Sequence, residues 1–271
     1  MSDGTEPPDE LMRLAASRGL GTVALTDHDT LAGVAAAATE AEALGLEFIP
    51  GTELSVDWPT GKMHLLVYFL EPGAGPLQDR LGWLRTGRDR RNGAIVERLN
   101  ALGYELTMAE VLAAAEGESV GRPHIADVLV ERGEFANRDE VFTSLLRDGG
   151  PAYIERDRFG AVEAIELARS SDAVPVIAHP YTIGVSRDDY TSAFSELAAA
   201  GLGGIEAYHT MHQPALRTHL AALADQLGIA ATGGSDYHGP GKKEGVDIGV
   251  GRGDLRVPES AVDQLHAQRN R

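Results

Sequence analysis

Residues 22–30 read TVALTDHDT, and residues 229–238 read IAATGGSDYH. Each is a short apolar run that passes straight into metal-ligand residue types: Asp27, His28 and Asp29 in the first, Asp236 and His238 in the second. Apolar runs of this length, bounded by glycine and polar residues, read as buried strands. Strand ends that carry His and carboxylates are how an α/β barrel assembles a multi-metal site. In the second stretch, the residues after Gly233 and Gly234 are expected to be extended, with Asp236 and His238 two apart and pointing to one side.

The pattern recurs along the chain. Glu53 follows Ile49-Pro50-Gly51-Thr52, His64 opens the run HLLVYFL, and His179-Pro180 closes VPVIAHP. A proline there stops the strand and aims the imidazole at the barrel mouth. Asp3 lies near the start of the chain. Between these points the tempo is helix, strand, helix, strand: LMRLAASRG, then TVAL, then GVAAAATEAEALG, then LEFIPG. That alternation predicts βα units around a parallel sheet or barrel. From about Pro76 to Ala168 it gives way to helical patterns without a clear strand. The expected organisation is a barrel from 1–75 and 169–271, interrupted by a helical insertion at 76–168 that caps the substrate. The tempo resumes with VPVIAHP, GGIEAYH and IAATGG. The histidines of the last but one strand end, His209 and His212, read as structural or rim residues.

Composition narrows the chemistry. The 271 residues include no cysteine, so any metal must be held by His, Asp and Glu, a donor set suited to Mn, Fe, Mg or Zn. The net charge is 24 − 41 = −17, which opposes broad binding to a nucleic-acid backbone while leaving room for a small anion site. No run of about 18 apolar residues is present, so no membrane span is expected. The acidic N-terminus has no apolar signal segment, and a cytoplasmic location is expected.

Taken together, Ser2-Asp3-Gly4-Thr5, ALTDHDT, Pro50-Gly51-Thr52-Glu53, Met63-His64, Gly121-Arg122-Pro123-His124, Ile177-Ala178-His179-Pro180 and Gly234-Ser235-Asp236-Tyr237-His238 resemble the polymerase-and-histidinol-phosphatase (PHP) superfamily. The spacing is similar to its branch of nucleoside 3′,5′-bisphosphate phosphatases and 5′-to-3′ exoribonucleases. His28 lies 25 residues after Asp3, Glu53 a further 25, and His64 11 beyond that. The resemblance implies a distorted (β/α)7 barrel with two to three divalent ions at its mouth, manganese foremost. Asp3, His28 and His238 would hold one ion. Glu53 would bridge two others, with His64 and His179 on one and Asp236 on the second. Metal-bound hydroxide would attack the phosphate, and no protein nucleophile is expected.

The resemblance also implies a first strand ending in His-x-His a few residues before Ser2-Asp3-Gly4. This chain starts after that point, so an upstream start is expected, along with a barrel lacking its first strand. In the insertion, Arg85, Arg88, Arg90, Arg91 and Arg98 fall within 14 residues. Arg88 and Arg91 share a helical face, and guanidinium forks suit phosphate oxygens. With Arg122 and His124 they are expected to contact the substrate. The expected reaction is hydrolysis of a phosphomonoester on a small nucleotide, a 3′,5′-bisphosphate first, or on short 5′-phosphorylated RNA. The alternatives are a histidinol-phosphate-type phosphatase and a catalytically impaired binding or regulatory protein.

Overall fold

The structure is a computed structural model that describes residues 3–115, 120–155 and 158–271; the side chains of Arg85 and Arg88 also lie outside the described set. The elements run α1 (Pro8–Ser17), β1 (Thr22–Leu25), α2 (Val34–Leu44), β2 (Glu47–Asp57), β3 (Met63–Tyr68), α3 (Pro76–Ala101), α4 (Met108–Ala114) and α5 (Arg122–Glu131). Then come α6 (Arg138–Val141), β4 (Phe159–Gly160), α7 (Ala161–Ser170), β5 (Val174–Ile177), α8 (Tyr190–Ala199), β6 (Gly204–His209), α9 (Pro214–Leu227), β7 (Ala230–Gly234) and α10 (Ser260–Arg269). Helix starts follow local chemistry. Pro8 and Pro214 sit in the first turns of α1 and α9, where the missing N–H costs nothing, and Thr107 caps α4 in a reciprocal box with Glu110.

The chain separates into two compact units, 1–81 with 158–271, and 82–157. The second is narrower than the expected insertion at both ends. Helix α3 begins within the first unit, and β4 and α7 belong to the first unit too. β4 was not anticipated as a strand; it pairs in parallel with the end of β2 through Val56–Phe159.

In the first unit the strands follow the order β1-β2-β3-β5-β6-β7. β1–β2, β5–β6 and β6–β7 are parallel, whereas β3 is antiparallel to both of its neighbours. The reversal corrects the expectation of uniform βα units. Only residues 58–62 connect β2 to β3, enough for a hairpin but not for the crossover a parallel pair needs. The result is a curled mixed sheet with helices packed on it. Its inner face is filled by Ile49, Leu66, Tyr68, Val174, Val176 and Ala230 among others. Met12, Ala15, Val23, Ala37 and Ala41 join α1 and α2 to β1.

The sheet is open between β1 and β7, as expected from the sequence: among the described residues no pairing joins them. A cavity of about 910 Å³ is lined by both strands, Thr22 to Leu25 on one side and Thr232 to Gly234 on the other, and reaches Asp3, His28 and Asp236. The helical unit has its own core, built on Ile95, Leu99, Val111, Ile125, Leu129 and Leu146.

Candidate metal centre

The parallel ladder of β1 and β2 continues past β1 and delivers the first ligand pair. His28 bridges Glu53, the N–H of Asp29 donates to the carbonyl of Glu53 (3.0 Å), and the N–H of Glu53 donates to the carbonyl of Asp27 (3.2 Å). Buried Thr52 locks this register by donating its hydroxyl to Asp27 O at 2.8 Å. Glu53, only 7% exposed, stands among three imidazoles. Its Oε1 is 2.6 Å from His64 Nδ1 and 3.0 Å from His179 Nε2, and its Oε2 is 3.8 Å from His28 Nε2. Burial alone would raise the pKa of Glu53. Hydrogen bonds to His179 and His64 and the charge of His28 outweigh it and hold the carboxyl well below the usual range.

The second half of the site grows from β7. Gly233 lets this strand approach β6 closely: a Cβ there would lie 2.3 Å from the carbonyl oxygen of Tyr208. The chain then turns instead of staying extended, because Asp236 adopts a positive φ of 55°. The expectation of an extended 236–238 segment therefore fails, yet the two side chains still converge, His238 Nδ1 lying 3.4 Å from Asp236 Oδ1. Asp3 closes the ring, with Oδ2 3.3 Å from His238 Nε2 and 4.0 Å from His28 Nε2. It is held there by the N–H of Thr5, which donates to His238 O at 2.9 Å. Positive φ also occurs at Asp29 (53°) and His179 (26°). Such conformations cost about 1–3 kcal/mol each and persist where the surroundings enforce them.

All seven expected ligands thus lie in one connected cluster. Its donor set is hard oxygen and imidazole nitrogen, and one carboxylate directs its two oxygens at different imidazoles, an arrangement that fits divalent ions. The ligand atoms of His28, Glu53 and His64 lie within 4.8 Å of one another, a grouping different from the one the resemblance implies.

Two residues escaped the sequence reading. His209, read as a structural or rim histidine, is 1% exposed, and its Nε2 lies 3.3 Å from Asp236 Oδ2. Its Nδ1 accepts the N–H of Met211 (3.1 Å), so the proton sits on Nε2 and is donated to Asp236. Asp236 also contacts Lys243. Burial would raise the Asp236 carboxyl, but the His209 and Lys243 hydrogen bonds and the Lys243 charge hold it down at about 2. Glu206, 4% exposed, accepts the N–H of His179 at 2.6 Å and so supports the strained His179 backbone. The strand-end position of His209, shared with the recognised ligands, was the available signal; Glu206 had none.

Burial pushes Glu206 up to about 7, His209 and the His179 N–H opposing only in part. Its folded pKa lies above the unfolded value, so between about pH 4.5 and 7 the folded state binds more protons. The stabilisation is complete below about pH 4.5 and is lost as pH rises through about 7. In chelator-treated protein, Glu206→Gln should flatten the fall in Tm between pH 5 and 7. An unchanged slope would contradict this assignment.

In the helical unit, Arg91 and Arg122 converge on one ring, their Cζ atoms 5.8 and 5.7 Å from the Tyr153 centroid. Both are engaged with backbone, Arg91 Nε donating to Ile154 O (2.7 Å) and Arg122 Nη1 to Leu146 O (2.9 Å), and Arg122 Nη1 also donates to the Asp148 carboxylate (3.1 Å). His124 Nδ1 accepts the N–H of Gly121 at the start of α5 (3.1 Å). Arg90 instead lies over Trp83, 4.8 Å from its centroid. The Arg88 side chain lies outside the described residues.

A half-open α/β barrel whose strand ends converge on His and carboxylates defines a metal-dependent hydrolase. The PHP domain family matches residues 1–129. The chain is 31% identical to a 3′,5′-nucleoside bisphosphate phosphatase of Chromobacterium violaceum over 92% of its length and 87% of that protein's. It is 32% identical to the 5′-3′ exoribonuclease Rnm of Salmonella typhimurium, covering 88% of this chain and 82% of that one. A solved metal-dependent phosphoesterase from Bifidobacterium adolescentis superposes with a TM-score of 0.68 at 32% identity, over 98% of this chain and 92% of its own. The chain belongs to the PHP family of metal-dependent phosphoesterases.

Proposed function

We propose that the protein hydrolyses a phosphomonoester of a small nucleotide, with the 3′-phosphate of a 3′,5′-bisphosphate as first substrate and short 5′-phosphorylated RNA as a related one. The observation that carries this reading is the set of contacts at Glu53, whose two oxygens face His64, His179 and His28. The likeness of nearly the whole chain to a bisphosphate phosphatase and an exoribonuclease supports it. Asp3, His28 and His238 would hold one divalent ion, His64 and His179 with Glu53 a second, and Glu53 with Asp236 a third, manganese being the first metal to test. Bound ions would neutralise phosphate charge and lower the pKa of water.

The chain's own contribution is placement. Buried Glu53 holds the imidazoles, His209 orients Asp236, and Glu206 fixes the His179 backbone. Arg88, Arg91, Arg122 and His124 are proposed to contact the phosphate that is not cleaved, which suits guanidinium geometry. The expected location is the cytoplasm; among the described residues no helix is long and apolar enough to cross a membrane.

The test is phosphate release by Mn²⁺-loaded protein from adenosine 3′,5′-bisphosphate, a 5′-phosphorylated oligoribonucleotide and histidinol phosphate. Release from the nucleotides, abolished by chelator, is expected. Turnover of histidinol phosphate alone would replace this reading with the other phosphatase, and no turnover of any substrate would favour a binding role.

A further inference from the structure

We propose that Tyr181, braced by His209 and His212, is a stacking face for the nucleobase of the substrate; this rests on the nucleotide reading above. A lone exposed tyrosine is ordinary. Tyr181 is set apart by its place, its rigidity and its neighbours. It stands two residues after His179, with ring centroids 6.0 Å apart, so a planar group laid on it lies within the reach of one ribose from a phosphate bound beside His179. Yet the residue is 46% exposed.

The turn that carries it is pinned on both sides. Pro180 is buried, and its carbonyl accepts the Tyr190 hydroxyl at 3.1 Å. Thr182 donates its hydroxyl to Lys62 O at 2.9 Å, and the N–H of Lys62 donates to Thr182 O at 3.0 Å. The ring itself meets two imidazoles, one from the end of β6 and one from the segment after it. His212 lies edge-on at 5.5 Å and 89°, and His209 lies tilted at 5.9 Å and 33°.

These imidazoles cannot turn away. His209 is fixed by Met211 and Asp236, as described above. His212, 2% exposed, has Nδ1 2.9 Å from Ala207 O, so the proton sits on Nδ1 and Nε2 is a bare lone pair. Among the described residues that buried Nε2 has no hydrogen-bond partner. Buried, that nitrogen is out of a ligand's reach, and the imidazole serves as a fixed wall behind the exposed ring. Met211, between the two histidines in sequence, is 49% exposed and adds a polarisable apolar surface.

Stacking costs least where the ring is already immobilised, because little side-chain freedom is lost on binding. It is tolerant of base identity, since every base presents a π-face. The expected phenotype is therefore a preference for nucleotides over base-free phosphates, with weak discrimination among bases.

The experiment measures kcat and KM of the Mn²⁺-loaded protein, Tyr181→Leu and Tyr181→Phe on adenosine 3′,5′-bisphosphate and on its base-free ribose analogue. AMP affinity is measured by calorimetry alongside. Tyr181→Leu should raise KM for the nucleotide by roughly 5- to 100-fold with kcat nearly unchanged. AMP affinity should fall in parallel, the base-free analogue should be unaffected, and Tyr181→Phe should restore wild-type KM. Equal losses on both substrates, or a loss confined to kcat, would overturn the stacking role while leaving the nucleotide reading intact. If the wild-type protein prefers the base-free analogue, the proposal fails on that alone. If it turns over neither substrate, the nucleotide reading fails and the proposal with it.

Discussion

Replacing Glu53 by glutamine is expected to lower kcat/KM by at least about 100-fold and to strip metal from the protein on dialysis. Loss even of residues that merely orient ligands costs about 10- to 100-fold in metal affinity or activity, so a carboxylate shared between ions should lie at or beyond the upper end. Glutamine keeps the size and one acceptor oxygen, so the change isolates charge and the second oxygen. Three imidazoles face Glu53, and of these His28 also lies 4.0 Å from Asp3. Metal per protein chain, read by elemental analysis, and phosphate release should fall together. A variant that keeps its full metal complement and turnover would remove Glu53 from the centre. The pH dependence follows from the same group. Its carboxyl is held below its unfolded value, so the stabilisation it provides is present above about pH 4.5 and is lost in more acid solution.

Gly233→Ala should be costly although it adds one methyl group. That methyl would fall 2.3 Å from the carbonyl oxygen and 2.5 Å from the Cβ of Tyr208, in the irregular register where β6 meets β7. Neither contact is the free end of a flexible side chain, so the strands must part. Overpacking of this kind costs about 1–3 kcal/mol, equivalent to roughly 2–10 °C in Tm for a chain of this size. Asp236 follows three residues later and His209 closes β6, so the hydrogen bond between them should be lost as well. Metal titration by calorimetry should show one weakened class of site. A variant with wild-type Tm and metal affinity would mean that the close approach is not required.

These residues also show what could be read from the sequence. His28, His64 and His179 were legible because each adjoins an apolar run, which fixes its place at one end of a sheet. The same rule applied to His209, but with His212 three residues on it reads as either structural or rim. Its side chain meets Asp236, His179 and Tyr181 from other parts of the chain, contacts that no local pattern encodes. Glu206 was invisible, because a glutamate inside GGIEAYH carries no signal of the backbone N–H it accepts from a distant turn. The reversal of β3 was legible in principle from the five residues before it. The arginines of α3 stand out by charge and helical spacing, while the engagement of Arg91 and Arg98 with the carbonyls of Ile154 and Tyr153 depends on a loop that folds back within the helical unit.

The opening between β1 and β7 has one further consequence. His28 extends the β1 side, Asp236 and His238 extend the β7 side, and Asp3 is within reach of both. Ions held by these residues would act as a clasp, joining two strands that, among the described residues, share no ladder hydrogen bonds. Cation binding would then add to the stability of the folded unit, by about 2.7 kcal/mol when free cation reaches about 100 times its dissociation constant. A cell's supply of divalent metal would set how firmly these strand ends are tied as well as how fast the protein turns over.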